Sequence, residues 1–102
     1  MLMIFVDEAD RWKNVPLYEA LVDKLARMDV AGATALAGLA GFGGSQRKRS
    51  LDERPVAVLA VDTEEKLAEV VPHLRPMAQD ALMMTMDVDV LPQRVGEPAV
   101  VH

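Results

Sequence analysis

Apolar and polar positions along this chain of 102 residues fall into alternating strand-type and helix-type patterns. Met1 to Val6 is an unbroken apolar, β-compatible run, followed by a polar connection, Asp7 to Asn14, that carries the lone tryptophan, Trp12. Leu17, Leu21, Leu25 and Met28 then recur at the spacing of one helix face. Asn14 has a capping side chain and Pro16 suits a first turn, so a helix is expected to start there. Gly32 to Ala40 predicts a second strand, weak in propensity because alanine and glycine dominate it. Pro55 opens a third, Val56 to Val61, at a position that need not donate to the ladder.

The second half repeats the scheme. Asp62 and Glu65 have the spacing of a capping box with Asp62 as the cap. Leu67, Val70, Val71, Leu74 and Met77 draw the apolar stripe of a second helix, in which Pro72 predicts a kink. Leu82 to Leu91 predicts the last strand, with Met84, Met86, Val88 and Val90 on one face and Thr85, Asp87 and Asp89 on the other. The order βαββαβ is the ferredoxin-like plan, an α+β fold with two helices on one face of a four-stranded antiparallel sheet. Residues 1–92 form this domain, and 93–102, set off by Pro92 and broken again at Pro98, are expected to be a flexible tail.

Counting faces adds an expectation. The first and third strands are apolar at both parities, yet two helices cover only one face of a sheet. The other face should meet a second subunit, because large apolar patches are unusual on monomers.

Composition narrows the chemistry. Hydrophobic residues make up 51% and charged residues 26%, which suits a globular domain. Cysteine is absent, so disulfides, thiolate zinc sites and cysteine nucleophiles are excluded, and a cytoplasmic setting is expected. No apolar run approaches the ~20 residues of a membrane span. MLMIFV is short and followed by Asp7 and Glu8, a poor match to a signal peptide. A net charge of −5 argues against binding nucleic acid.

Against that acidic background, Gly41-Phe42-Gly43-Gly44-Ser45 runs into Arg47-Lys48-Arg49. Clustered glycines let a backbone curl around an anion, and adjacent cations supply the matching charge. A simple turn followed by a solubilising loop accounts for the same residues.

Val6-Asp7-Glu8 with Asp10, Pro16-Leu17-Tyr18-Glu19-Ala20-Leu21-Val22, Gly32-Ala33-Thr34, Gly38-Leu39-Ala40-Gly41-Phe42-Gly43 and Val61-Asp62 with Glu64-Glu65-Lys66 together resemble the PII-like signalling superfamily. The likeness is closest to its branch called domain-of-unknown-function family 190. The resemblance implies a cytoplasmic homotrimer that regulates and does not catalyse. It implies a small anionic ligand, often an adenine nucleotide, in clefts between subunits. Carried over by position, Thr34, Gly41, Phe42, Gly43, Gly44 and Ser45 would line that cleft. The loop Ser45 to Ser50, with Arg47, Lys48 and Arg49, would meet a protein partner such as a membrane transporter or channel. No cofactor or metal is implied.

Departures bear on the ligand. The loop is shorter than usual in the branch, and Ala37 and Leu59 replace a common Arg and Glu. Met77 to Ala81 lacks the Gly and Lys of the PII phosphate loop, and Asp80 would repel a phosphate. A monophosphate, a cyclic nucleotide or no nucleotide suits this chain better than a triphosphate.

Other chemistry has ordinary explanations. Asp7, Glu8 and Asp10, and Asp87 with Asp89, have the residue types of a hard-cation site but suit a solvated loop and strand equally. His73 and His102 have no nucleophile or carboxylate at a catalytic spacing. Trp12 suits packing over the first helix or stacking on a ligand. The alternative function is a small oligomeric enzyme with a pocket between sheet and helices, which an open interlayer cavity would reveal.

Overall fold

The computed structural model of the chain describes residues 1–38 and 54–92. Its elements are β1 (Leu2–Asp7), β2 (Arg11–Trp12), β3 (Val15–Pro16), α1 (Leu17–Arg27), β4 (Gly32–Ala37), β5 (Pro55–Val61), α2 (Glu64–Leu74) and β6 (Leu82–Thr85). The four long strands form one antiparallel sheet in the order β4-β5-β1-β6. With both helices supplying buried side chains to the same core, this is the ferredoxin-like α+β arrangement.

Register sorts the apolar residues by parity. Leu2, Ile4 and Val6 of β1 stand opposite Ala60, Val58 and Val56 of β5, and all six are buried. Leu17, Leu21 and Leu25 of α1 and Leu67, Val70 and Leu74 of α2 close over them. Burying such side chains stabilises by about 1.5–3 kcal/mol each, and this layer is the main source of stability. Ala33 and Ala35 lie on the same face of β4, where their small side chains let α1 pack close to the strand.

Several boundaries differ from the sequence expectation, each for a local reason. The polar connection after β1 contains a two-stranded hairpin, in which Trp12 pairs with Val15 across a Lys13-Asn14 turn. Both turn residues have positive φ, 49° and 70°, the mark of a type I′ hairpin turn. Asn14 therefore belongs to the turn and does not cap α1, whose N-cap is Pro16 with no side-chain bond. Helix α1 ends in a Schellman arrangement. Asp29 sits at φ 61°, its N–H bonds Ala26 O at 3.1 Å, and Val30 N–H bonds Leu25 O at 3.1 Å.

Helix α2 is capped by Thr63 in place of Asp62: the Thr63 hydroxyl accepts from Lys66 N–H at 3.1 Å. The helix runs through Pro72 to Leu74. Proline there removes one donor from the last turn only. Strand β6 stops at Thr85, well short of Leu91, because Thr85 already stands opposite Leu2, where β1 begins. Met86 exchanges one further pair of hydrogen bonds with Met1, and beyond it no β1 residue remains to pair. Of β4, the described part ends at Ala37, and Leu39 and Ala40 lie outside the described residues.

Candidate functional site

Strands β4 and β5 deliver both ends of the 39–53 segment to one place. Ala37 pairs with Val56, and Gly38 N–H bonds Pro55 O at 2.7 Å. A Cβ on Gly38 would lie 2.8 Å from Pro55 Cγ, so this close approach requires glycine. Glu8 N–H bonds Arg54 O at 2.8 Å and ties the returning chain to the end of β1. Of the cleft residues expected from sequence, Thr34 is the one described: it is exposed on β4, paired with Leu59. Gly41, Phe42, Gly43, Gly44, Ser45, Arg47, Lys48 and Arg49 lie outside the described residues.

Thr34 belongs to the sheet face that the helices leave uncovered. Register lays two rows across that face. Leu36, Ala57, Phe5 and Leu82 form one, and Thr34, Leu59, Met3 and Met84 form the other. Seven of these eight side chains are apolar, with Leu36 52% and Leu82 42% exposed. Thr34 is the single polar side chain in either row.

The acidic groups do structural work. Asp7 is buried at the end of β1, its Oδ1 accepts from Ala9 N–H at 2.9 Å, and Asp10 Oδ2 accepts from Asp7 N–H at 3.0 Å. Asp10 O then receives Leu17 N–H at 2.7 Å, which fixes the start of α1. Among the described residues no group of three or more His, Asp or Glu side chains is arranged to hold a metal ion.

The segment between α2 and β6 closes around a cation. Arg75 Nη1 donates to Ala78 O at 3.3 Å, Gln79 O at 3.1 Å and Ala81 O at 2.8 Å. A phosphate cradle needs backbone N–H groups pointing inward. Here carbonyls converge instead, and the guanidinium already occupies their centre. Arginine just past a helix end is a known partner for free carbonyls. That position was the available signal for Arg75, which sequence patterning did not single out.

Asp62 holds two backbone donors, Thr63 N–H at 2.6 Å and Ala31 N–H at 2.9 Å. Those bonds, with the nearby Lys66 ammonium, hold its carboxyl below the usual range. His73 is exposed on α2.

The space between sheet and helices is filled by Leu2, Ile4, Leu21, Leu25, Val58, Val70 and Leu74, all fully buried. Two concavities formed by described residues lie outside that layer. One is a groove between α2 and residues 86–90, and the other lies beside the β2–β3 hairpin. Helices of the described residues are too short and polar to cross a membrane.

Element order, antiparallel register and an uncovered apolar sheet face define an α+β domain of ferredoxin-like plan. The chain belongs to the DUF190 family, described as "Uncharacterized ACR", whose model matches residues 1–90. It is also similar to the UPF0166 protein of Aquifex aeolicus (strain VF5), 28% identical over 97 residues, covering 89% of this chain and 91% of that protein.

Proposed function

We propose that this protein is a cytoplasmic, non-enzymatic regulator of the PII-like kind. Three copies bury their open sheet faces against one another, and a small anionic ligand enters the clefts between them. Thr34 and the Gly41 to Ser45 segment serve that ligand, and Arg47, Lys48 and Arg49 meet a protein partner such as a membrane transporter or channel. The observation that carries the reading is the open face itself: seven apolar side chains in two rows across the sheet, a patch unusual on a monomer. The Arg75-filled turn supports a ligand smaller than a nucleoside triphosphate, since the PII-type phosphate loop has no counterpart there.

Sedimentation equilibrium at micromolar concentration tests the assembly, and a mass of three chains is expected. A monomer overturns the reading. A thermal-shift screen of nucleoside monophosphates, cyclic nucleotides and inorganic anions tests the ligand, because selective binding to the native state raises the transition temperature. Gly43→Val should abolish the shift from a ligand bound in the cleft, by blocking backbone approach.

A further inference from the structure

The groove beside the β2–β3 hairpin shares no lining residue with the open sheet face or with Thr34. It encloses about 780 Å³, within the range of small-molecule sites. Its walls come from three elements. The hairpin gives Trp12 and Lys13, the last turns of α1 give Lys24 and Arg27, and the far end of α2 gives His73, with Met77 beyond it.

Trp12 packs against the core on one side yet also lines the groove. The core fixes the indole, and a ligand ring stacking on it takes the place of the Lys13 ammonium that stands over that ring. The Lys13 ammonium stands 5.4 Å from the ring centroid, a cation–π contact that brings positive charge to the same end of the groove. The hairpin reaches this geometry with Lys13 at φ 49°, a conformation that costs a lysine more than it costs a glycine.

Charge in the groove runs against the charge of the chain. Three cations, Lys13, Lys24 and Arg27, face two carboxylates, Glu19 and Asp23, while the chain as a whole carries −5. Asp23 is engaged with Arg27 at 2.8 Å. Lys24 makes no salt bridge among the described residues, so its ammonium is the available partner for an incoming anion. Lys24 is half-buried in α1 and lines the groove.

We propose that this groove binds a small planar aromatic anion, its ring on the Trp12 indole and its phosphate or carboxylate on Lys24. Ring and charge both matter: stacking alone or an anion alone satisfies half the site.

Trp12 is the only tryptophan, so its emission reports this groove directly. Adenosine 5′-monophosphate and nicotinate are titrated into the full chain, with excitation at the red edge of the indole band. Adenosine and inorganic phosphate serve as the ring-only and charge-only controls. The expected result is a saturable change with adenosine monophosphate, with nicotinate or with both; which one responds tells phosphate from carboxylate. Each control should bind on the order of tenfold more weakly or not at all. Lys24→Glu should weaken binding by at least about tenfold and Lys24→Arg should retain it, both with unchanged circular dichroism. Gly43→Val should leave the titration unchanged, which separates this groove from the proposed inter-subunit cleft. An emission spectrum that neither probe alters up to millimolar concentration overturns the proposal. So does a response that Lys24→Glu leaves intact.

Discussion

Asp62 accepts the backbone N–H of Ala31 at 2.9 Å, joining the start of α2 to the connection between α1 and β4. The same carboxylate takes Thr63 N–H at 2.6 Å, just before the residue whose own hydroxyl caps the helix. One side chain therefore fixes the relative positions of both halves of the βαββαβ repeat. Capping passes to Thr63 because Asp62 is already occupied.

The pH dependence of stability should carry the mark of Asp62. Its native carboxyl lies below the ordinary value of 3.8, chiefly through the Thr63 and Ala31 N–H groups, which favour the charged form. A group with a lowered native pKa adds stability that is present above its unfolded pKa and lost as pH falls through the native one. Asp62→Asn should melt a few degrees below wild type at pH 7, and the gap should close as pH falls from about 4 through the lowered native value. Thermal melts of both proteins from pH 7 to pH 2.5 check this; a gap independent of pH would contradict it.

Asp29→Gly should stabilise the protein. Asp29 closes the Schellman turn at φ 61°, where glycine has no Cβ penalty, and its carboxylate sits at the negative end of the α1 dipole. Both contributions favour the substitution, together by about 1 kcal/mol. Urea denaturation should show a higher midpoint with an unchanged slope.

Much of this architecture was legible because periodicity records burial: Leu17, Leu21 and Leu25, or Leu67, Val70 and Leu74, point inward as their spacing requires. What escaped was decided by the backbone. Lys13-Asn14 makes a type I′ turn without glycine, and Asp29 makes a Schellman turn without it, so the usual signals were missing. Strand β6 keeps its alternation of Met86, Val88 and Val90 beyond Thr85, but alternation cannot report that the neighbouring strand has ended. The candidate site divides the same way. Thr34 lies on the open face as its parity demands. Arg75 has backbone carbonyls as partners, so no complementary side chain marks it and its place just past a helix end is the one signal.

Leu59→Asp should dissociate the proposed trimer. Leu59 lies between Met3 of β1 and Thr34 of β4 at the middle of the open face, half-buried in the single chain. An aspartate there remains solvated in a monomer, but an assembly that covers the face must bury its unpaired charge. Burying an unpaired carboxylate costs several kcal/mol per site, enough to outweigh a moderate interface. Sedimentation equilibrium should then give a single-chain mass, with far-ultraviolet circular dichroism unchanged. A variant that sediments as wild type would place the interface elsewhere.

Charge reversal of Arg47, Lys48 and Arg49 separates a partner-docking loop from a solubilising one. The Gly38 to Pro55 bond and the Glu8 to Arg54 bond fix where this segment leaves and rejoins the sheet, so its charges are presented from a defined base. Replacing all three by Glu shifts the net charge from −5 to about −11, as three residues each change by two units. The three cations stand in a polar stretch, Ser45 to Ser50, with no apolar side chain to offer a core, so the melting temperature should move only slightly. Binding to an acidic partner surface should fall by at least tenfold at low salt and lose its salt dependence, because screened attraction between opposite charges is what the cluster supplies. Pull-downs from the native host at low and moderate salt, wild type against the triple variant, measure both effects. Identical partner profiles from the two proteins would end the docking role and leave the cluster as a solubilising turn.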